Sequence, residues 1–101
     1  MESKLACKLS TPEFRKRRAT IISHLQSQIV ATEEIANGYR FSLTANDETI
    51  DEVSAFVKTE RECCEFFSFS VILPSGSATL QLEMTGPSGT KEFMRNDLGL
   101  R

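Results

Sequence analysis

The pair Asn37-Gly38 constrains this chain more than any other feature, because a β-branched run precedes it and the alternating stretch Tyr39-Arg40-Phe41-Ser42-Leu43-Thr44 follows it. Asn-Gly before alternating residues is a strong short-range signal for a two-residue hairpin, since the favoured turn needs positive φ at its central positions. It predicts a first strand over about 31–36 and a second over 39–45. The pattern recurs downstream. Phe69, Val71 and Leu73 alternate with Ser70, Ile72 and Pro74, and Leu80, Leu82 and Met84 alternate with Thr79, Gln81, Glu83 and Thr85. Pro74-Ser75-Gly76-Ser77 between them has turn chemistry, so a second hairpin is expected.

Helical patterns frame the hairpins. Thr11 suits a cap, Pro12 the first helical position, and Glu13 the positive end of a helix dipole. Phe14, Ile21, Ile22, Leu25 and Ile29 follow at helical spacing, which predicts a helix from about Pro12 to Gln28. Asn46-Asp47-Glu48 opens a second helix, with Ile50, Val53, Phe56, Val57, Cys63 and Cys64 on its apolar face, reaching about Phe66. Gly86-Pro87-Ser88-Gly89 leads into a third helix carrying Phe93, Met94 and Leu98.

The expected order is α-β-β-α-β-β-α. A right-handed crossover through the second helix leaves strands two and three parallel. Placing strand four between them makes every neighbouring pair antiparallel. The reading is therefore an α+β fold with a four-stranded antiparallel sheet, order 1-2-4-3, and helices on one face. Residues 1–9 are expected to form a loose arm and residues 10–101 a single domain. At 101 residues the chain is long enough to bury a core without staples. This topology brings Cys63-Cys64, the Gly86-Pro87-Ser88-Gly89 loop, the Asn37-Gly38 turn and Tyr39 to one edge of the domain.

The chemical lead on that edge is the adjacent pair Cys63-Cys64. Glu60 stands three and four residues before them, so all three share a helix face. Glu60 also falls on or beside the buried stripe, where a carboxylate is costly unless paired, metal-bound or protonated. Two sulfurs and one oxygen suit a soft metal ion, such as zinc, or a metalloid, and thiolate is the binding form. Two other readings stay open. The pair can serve a thiol-dependent redox enzyme, or it can fill the core of a structural or interaction module, since cysteine often behaves as a small hydrophobe. A disulfide between the two neighbours is disfavoured by its strained eight-membered ring. The odd count of cysteines, Cys7, Cys63 and Cys64, gives no disulfide framework and fits a reducing compartment.

The motif Glu60-x-x-Cys63-Cys64-x-Phe66-Phe67-x-Phe69, followed by Thr85-Gly86-Pro87-x-Gly89-x-Lys91-Glu92-Phe93, resembles a family of small bacterial proteins of unassigned function. The family shares an arginine-containing first helix and a Gly-Tyr entry to a strand, here Gly38-Tyr39. The resemblance covers about residues 9 to 98. Where the family has proline after the cysteine pair, this chain has Glu65. The resemblance implies a fold and brings no established activity.

The remaining features carry less. Arg15-Lys16-Arg17-Arg18 reads as a solvated helix face, although Arg18, four residues after Phe14, is placed to approach the core and pair with a carboxylate such as Glu60. The net charge of −2 offers no basic field for nucleic acid. His24 is the only histidine, which excludes a histidine-rich zinc pattern, and it reads as a surface residue. Tyr39 and Gly86, Pro87, Ser88 and Gly89 form a candidate edge for a small ligand, with a tight strand-to-helix turn as the simpler reading of the loop. Met1-Glu2-Ser3-Lys4-Leu5 leads into no apolar run and no stretch is long enough for a membrane span, so a cytoplasmic, non-membrane chain is expected.

Overall fold

The computed structural model describes residues 11–99. The elements follow the order α1 (Pro12–Gln28), β1 (Ile29–Ile35), β2 (Gly38–Thr44), α2 (Asp47–Cys63), β3 (Ser68–Ile72), β4 (Thr79–Thr85) and α3 (Thr90–Phe93), which continues as a π-helical turn over Met94–Leu98. The sheet order is β1-β2-β4-β3, and every neighbouring pair is antiparallel. The fold is α+β, with the element order and strand order expected. The arm assigned to residues 1–9, with Cys7, lies outside the described residues.

Local chemistry explains the helix boundaries. Thr11 accepts a hydrogen bond from Phe14 N at 3.2 Å, and Pro12 occupies the first helical position of α1. Asn46 caps α2 by accepting from Thr49 N at 2.8 Å, with Asp47 and Glu48 in the first turn. The second helix ends at Cys63, earlier than the expected Phe66. Cys64 leaves helical geometry at φ −120° and ψ 89°, while its N–H still bonds Glu60 O at 2.6 Å. The chain turns there because Phe66 and Phe67 enter an aromatic cluster with Phe93. The centroid separations are 4.6 Å for Phe66–Phe67, 5.1 Å for Phe66–Phe93 and 5.9 Å for Phe67–Phe93.

The first hairpin is as short as Asn37-Gly38 predicts but is shifted along the chain. Ile35 pairs with Gly38, so the two-residue loop is Ala36-Asn37, one residue earlier. Asn37 takes the left-handed conformation with φ 65°, which asparagine tolerates through its short polar side chain. Gly38 belongs to β2 and is needed for another reason. A β-carbon there would overlap the Met84 carbonyl oxygen of β4.

The sheet has one wet and one dry face. Tyr39, Phe41 and Leu43 of β2 and Leu80, Leu82 and Met84 of β4 are buried on the helix side. Arg40 and Glu83 lie opposite one another on the other face, where Arg40 Nε donates to Glu83 Oε2 at 2.7 Å. Leu25 of α1, Val53, Phe56 and Cys63 of α2, Cys64 and Phe67 just after it, and Phe93, Met94 and Leu98 of α3 and its π-helical continuation complete the core. No helix among the described residues is long and apolar enough to cross a membrane.

Candidate functional site

The cysteine pair sits at the last turn of α2, under the first half of α1. Both residues are buried, as is Glu60. The spacing argument placed Glu60 on the buried face, and its carboxylate there has a charged partner. Arg18 of α1 donates from Nε to Glu60 Oε2 at 2.6 Å and from NH2 to Oε1 at 2.9 Å, the planar two-pronged geometry that suits guanidinium and carboxylate. The same NH2 approaches Cys64 Sγ at 3.8 Å. Cys64 carries a thiol that donates to Glu60 Oε1 at 3.6 Å and lies 3.7 Å from Cys63 Sγ. A guanidinium, a carboxylate and two sulfurs therefore meet in one buried cluster.

The two cysteines differ in oxidation state. Cys63 is in a disulfide, contrary to the expectation that no disulfide forms. The expectation rested on the odd count and on the strain of a bond between neighbours. The strain argument leaves Cys64 a thiol, but neither argument governs pairing at Cys63. Cys7 lies outside the described residues. No group of three or more His, Cys, Asp or Glu side chains among the described residues is set to hold a metal ion.

The other expected site residues gather close by. Gly86 N–H donates to Asn37 O at 3.1 Å, joining the strand-to-helix loop to the first hairpin turn. A β-carbon on Gly86 would crowd Phe66 O, so the loop also meets the segment that follows the cysteines. Asn37, Pro87, Ser88, Gly89, Lys91 and Arg95 line a shallow cleft of about 390 Å³. Gly89 takes φ 96° to start α3, and Thr90 Oγ1 donates back to Pro87 O at 2.6 Å. These are the features of a tight strand-to-helix turn. Cys63, Cys64 and Glu60 do not line this cleft.

Tyr39 is buried, and its hydroxyl accepts from Arg95 NH1 at 2.6 Å. Arg95 went unnoticed in the sequence, where nothing in its spacing links it to a residue two strands and two helices away. The same holds for Lys91, whose Nζ donates to Glu34 Oε2 at 2.7 Å. That bond and the adjacent ammonium charge hold the Glu34 carboxyl below the usual carboxylate range. The Arg15-Lys16-Arg17 run is exposed, as expected of a solvated face, with Arg17 over the Phe14 ring at 5.7 Å. His24 is exposed on α1. Comparison of the chain with family models, curated protein sequences and solved structures finds no match.

Proposed function

We propose that this protein binds a soft metal ion, such as zinc, or a trivalent metalloid through Cys63 and Cys64, with Glu60 as the adjacent oxygen donor. Binding belongs to the state in which Cys63 is reduced. The observation that carries the reading is the spacing of the donors. Cys64 Sγ lies 3.7 Å from Cys63 Sγ and 3.6 Å from Glu60 Oε1. A tetrahedral zinc ion with bonds of about 2.3 Å to sulfur and about 2.1 Å to oxygen needs separations of roughly 3.8 and 3.6 Å.

Charge supports the same reading. Two thiolates and one carboxylate beside the Arg18 guanidinium leave a net charge that one divalent cation neutralises, which matters in a buried site. The metal takes the place of the thiol proton between Cys64 Sγ and Glu60 Oε1, so binding releases protons and weakens as pH falls. Arg18 keeps Glu60 oriented throughout.

The test is calorimetric titration of the reduced protein with zinc, cadmium and arsenite. The wild type is expected to bind at least one of them well above the Cys63→Ser/Cys64→Ser variant. Glu60→Gln should have a smaller effect than the cysteine changes. Equal titrations for a folded double variant and the wild type defeat the proposal. Unfolding of the double variant, with no binding by the wild type, leaves the pair as core filler.

A second reading rests on the Cys63 disulfide. As a thiolate, Cys64 is within 3.7 Å of the Cys63 sulfur. Its attack there forms a Cys63–Cys64 bond and expels the sulfur previously bound to Cys63 as thiolate. No electrons are gained or lost overall, as in any thiol–disulfide exchange. Mass-spectrometric mapping of the disulfide after alkylative trapping at raised pH distinguishes this reading, because the strained Cys63–Cys64 linkage must then form as a detectable minor species beside the original disulfide.

A further inference from the structure

The two edges of the sheet are built differently. The outer edge at β1 is guarded. Glu33 and Glu34 stand on it in ion pairs with Arg40 and Lys91, and the register slips between Ile29 and Ala31. Charges and bulges are the usual means by which an edge strand refuses a further strand. At the other edge, β3 has neither. Residues 66–82 contain no Asp, Glu, Lys or Arg, the β3–β4 register is regular, and among the described residues β3 pairs only with β4. Val71, Ile72 and Leu73 at the end of this strand are 46%, 41% and 53% exposed.

The helix layer also stops short of this edge. An apolar groove of about 320 Å³ runs between α2 and β3, lined chiefly by Ile50, Val53, Val57, Val71, Leu73 and Leu80. Phe69 and Val71 pair with Met84 and Leu82 of β4, which places them on the groove side, while Ser68, Ser70 and Ile72 point to the other face.

We infer that the protein forms a dimer by antiparallel pairing of β3 with β3 of a second copy, giving one continuous eight-stranded sheet. A strand edge of unpaired backbone groups is satisfied by another strand, which defines the kind of partner. The alternation defines which strand. A two-fold axis near Ser70 sets Phe69 of one copy opposite Val71 of the other on the groove side, and Ser68 opposite Ile72 on the far side. Aromatic–β-branched pairs are favourable across strands. No charge is brought near its own copy, so self-pairing meets no electrostatic penalty, and an isologous contact closes after two subunits. The two grooves meet at the new junction, and Leu73 of each copy lies beside the apolar strip of the other.

Sedimentation velocity of the full chain over a wide concentration range tests the inference. A species of twice 11.3 kDa is expected. Val71→Lys and Ser70→Lys each place like charges near the two-fold axis, and each should weaken dimerisation by at least about tenfold. Ser70 is exposed on the wet face, so that variant keeps the monomer folded, and circular dichroism verifies this. Thr32→Lys, on the guarded edge, should leave dimerisation unchanged. Hydrogen exchange provides a second readout, since β3 amides should become more protected as concentration rises. A wild type that stays monomeric overturns the inference. So does a dimer that persists in both folded lysine variants or dissociates with Thr32→Lys.

Discussion

Replacing Arg18 by methionine tests what holds α1 against α2 over the cysteine pair. Methionine retains most of the aliphatic stem but removes the hydrogen bonds of 2.6 and 2.9 Å to Glu60. Glu60 is then 0% exposed with its counter-charge gone. Breaking a buried ion pair by removing one partner costs about 3–5 kcal/mol, because an uncompensated charge stays behind. The Arg18 side chain is 15% exposed, so some solvent screening applies and about 3 kcal/mol is expected. In a domain of this size that corresponds to a fall in Tm of roughly 12–24 °C. The assay is thermal and urea unfolding of Arg18→Met, Glu60→Leu and the double variant under one set of conditions. The double variant should lie within about 1 kcal/mol of the wild type, since replacing both charges with apolar groups removes the desolvation cost along with the attraction. An Arg18→Met loss below about 1 kcal/mol would mean that the pair behaves as a surface contact. A double variant as unstable as the sum of the single changes would show no coupling. Either result refutes the reasoning.

Other consequences are equally direct. Gly38→Ala forces a β-carbon into the Met84 carbonyl, and thermal unfolding should show a loss of about 2–3 kcal/mol as β2 and β4 are pushed apart. At Asn37, with φ 65°, glycine should be tolerated while valine costs about 1–2 kcal/mol, measured in the same way. Leu82→Ala empties a fully buried position between β2 and β3, and urea unfolding should report a loss of about 2–5 kcal/mol. The Glu34 carboxyl is held below its usual range by Lys91. A depressed carboxyl stabilises the fold above its unfolded-state pKa and loses that contribution as pH falls through the folded value. The Tm difference between wild type and Glu34→Gln should therefore shrink between neutral pH and about pH 3. It should also shrink in about 1 M salt, because both groups are at the surface. A difference indifferent to pH and salt would mean that the contact between β1 and α3 is not electrostatic.

Local pattern was enough to determine the elements of this protein and much of their arrangement. Alternation is a property of a strand by itself, so Tyr39, Phe41 and Leu43 and then Leu80, Leu82 and Met84 announce their strands and their dry face. Thr11, Pro12 and Asn46 announce helix starts because capping is satisfied within one turn. Strand order 1-2-4-3 followed from crossover handedness and antiparallel pairing. The burial of Glu60 was visible in its helical spacing, and Arg18 was a nameable partner because it falls one turn after Phe14. Tertiary structure alone decided the rest. The grip of Arg18 on Glu60 spans the angle at which α1 crosses α2, which no periodicity encodes. The end of α2 at Cys63 depends on Phe66 and Phe67 finding Phe93, an aromatic contact closed only when α3 docks. The disulfide at Cys63 depends on where the folded chain carries its sulfur. The groove beside β3 exists because α2 covers less of the sheet than four strands offer. Each of these joins residues far apart in the chain, and only the packed layers set the distance between them.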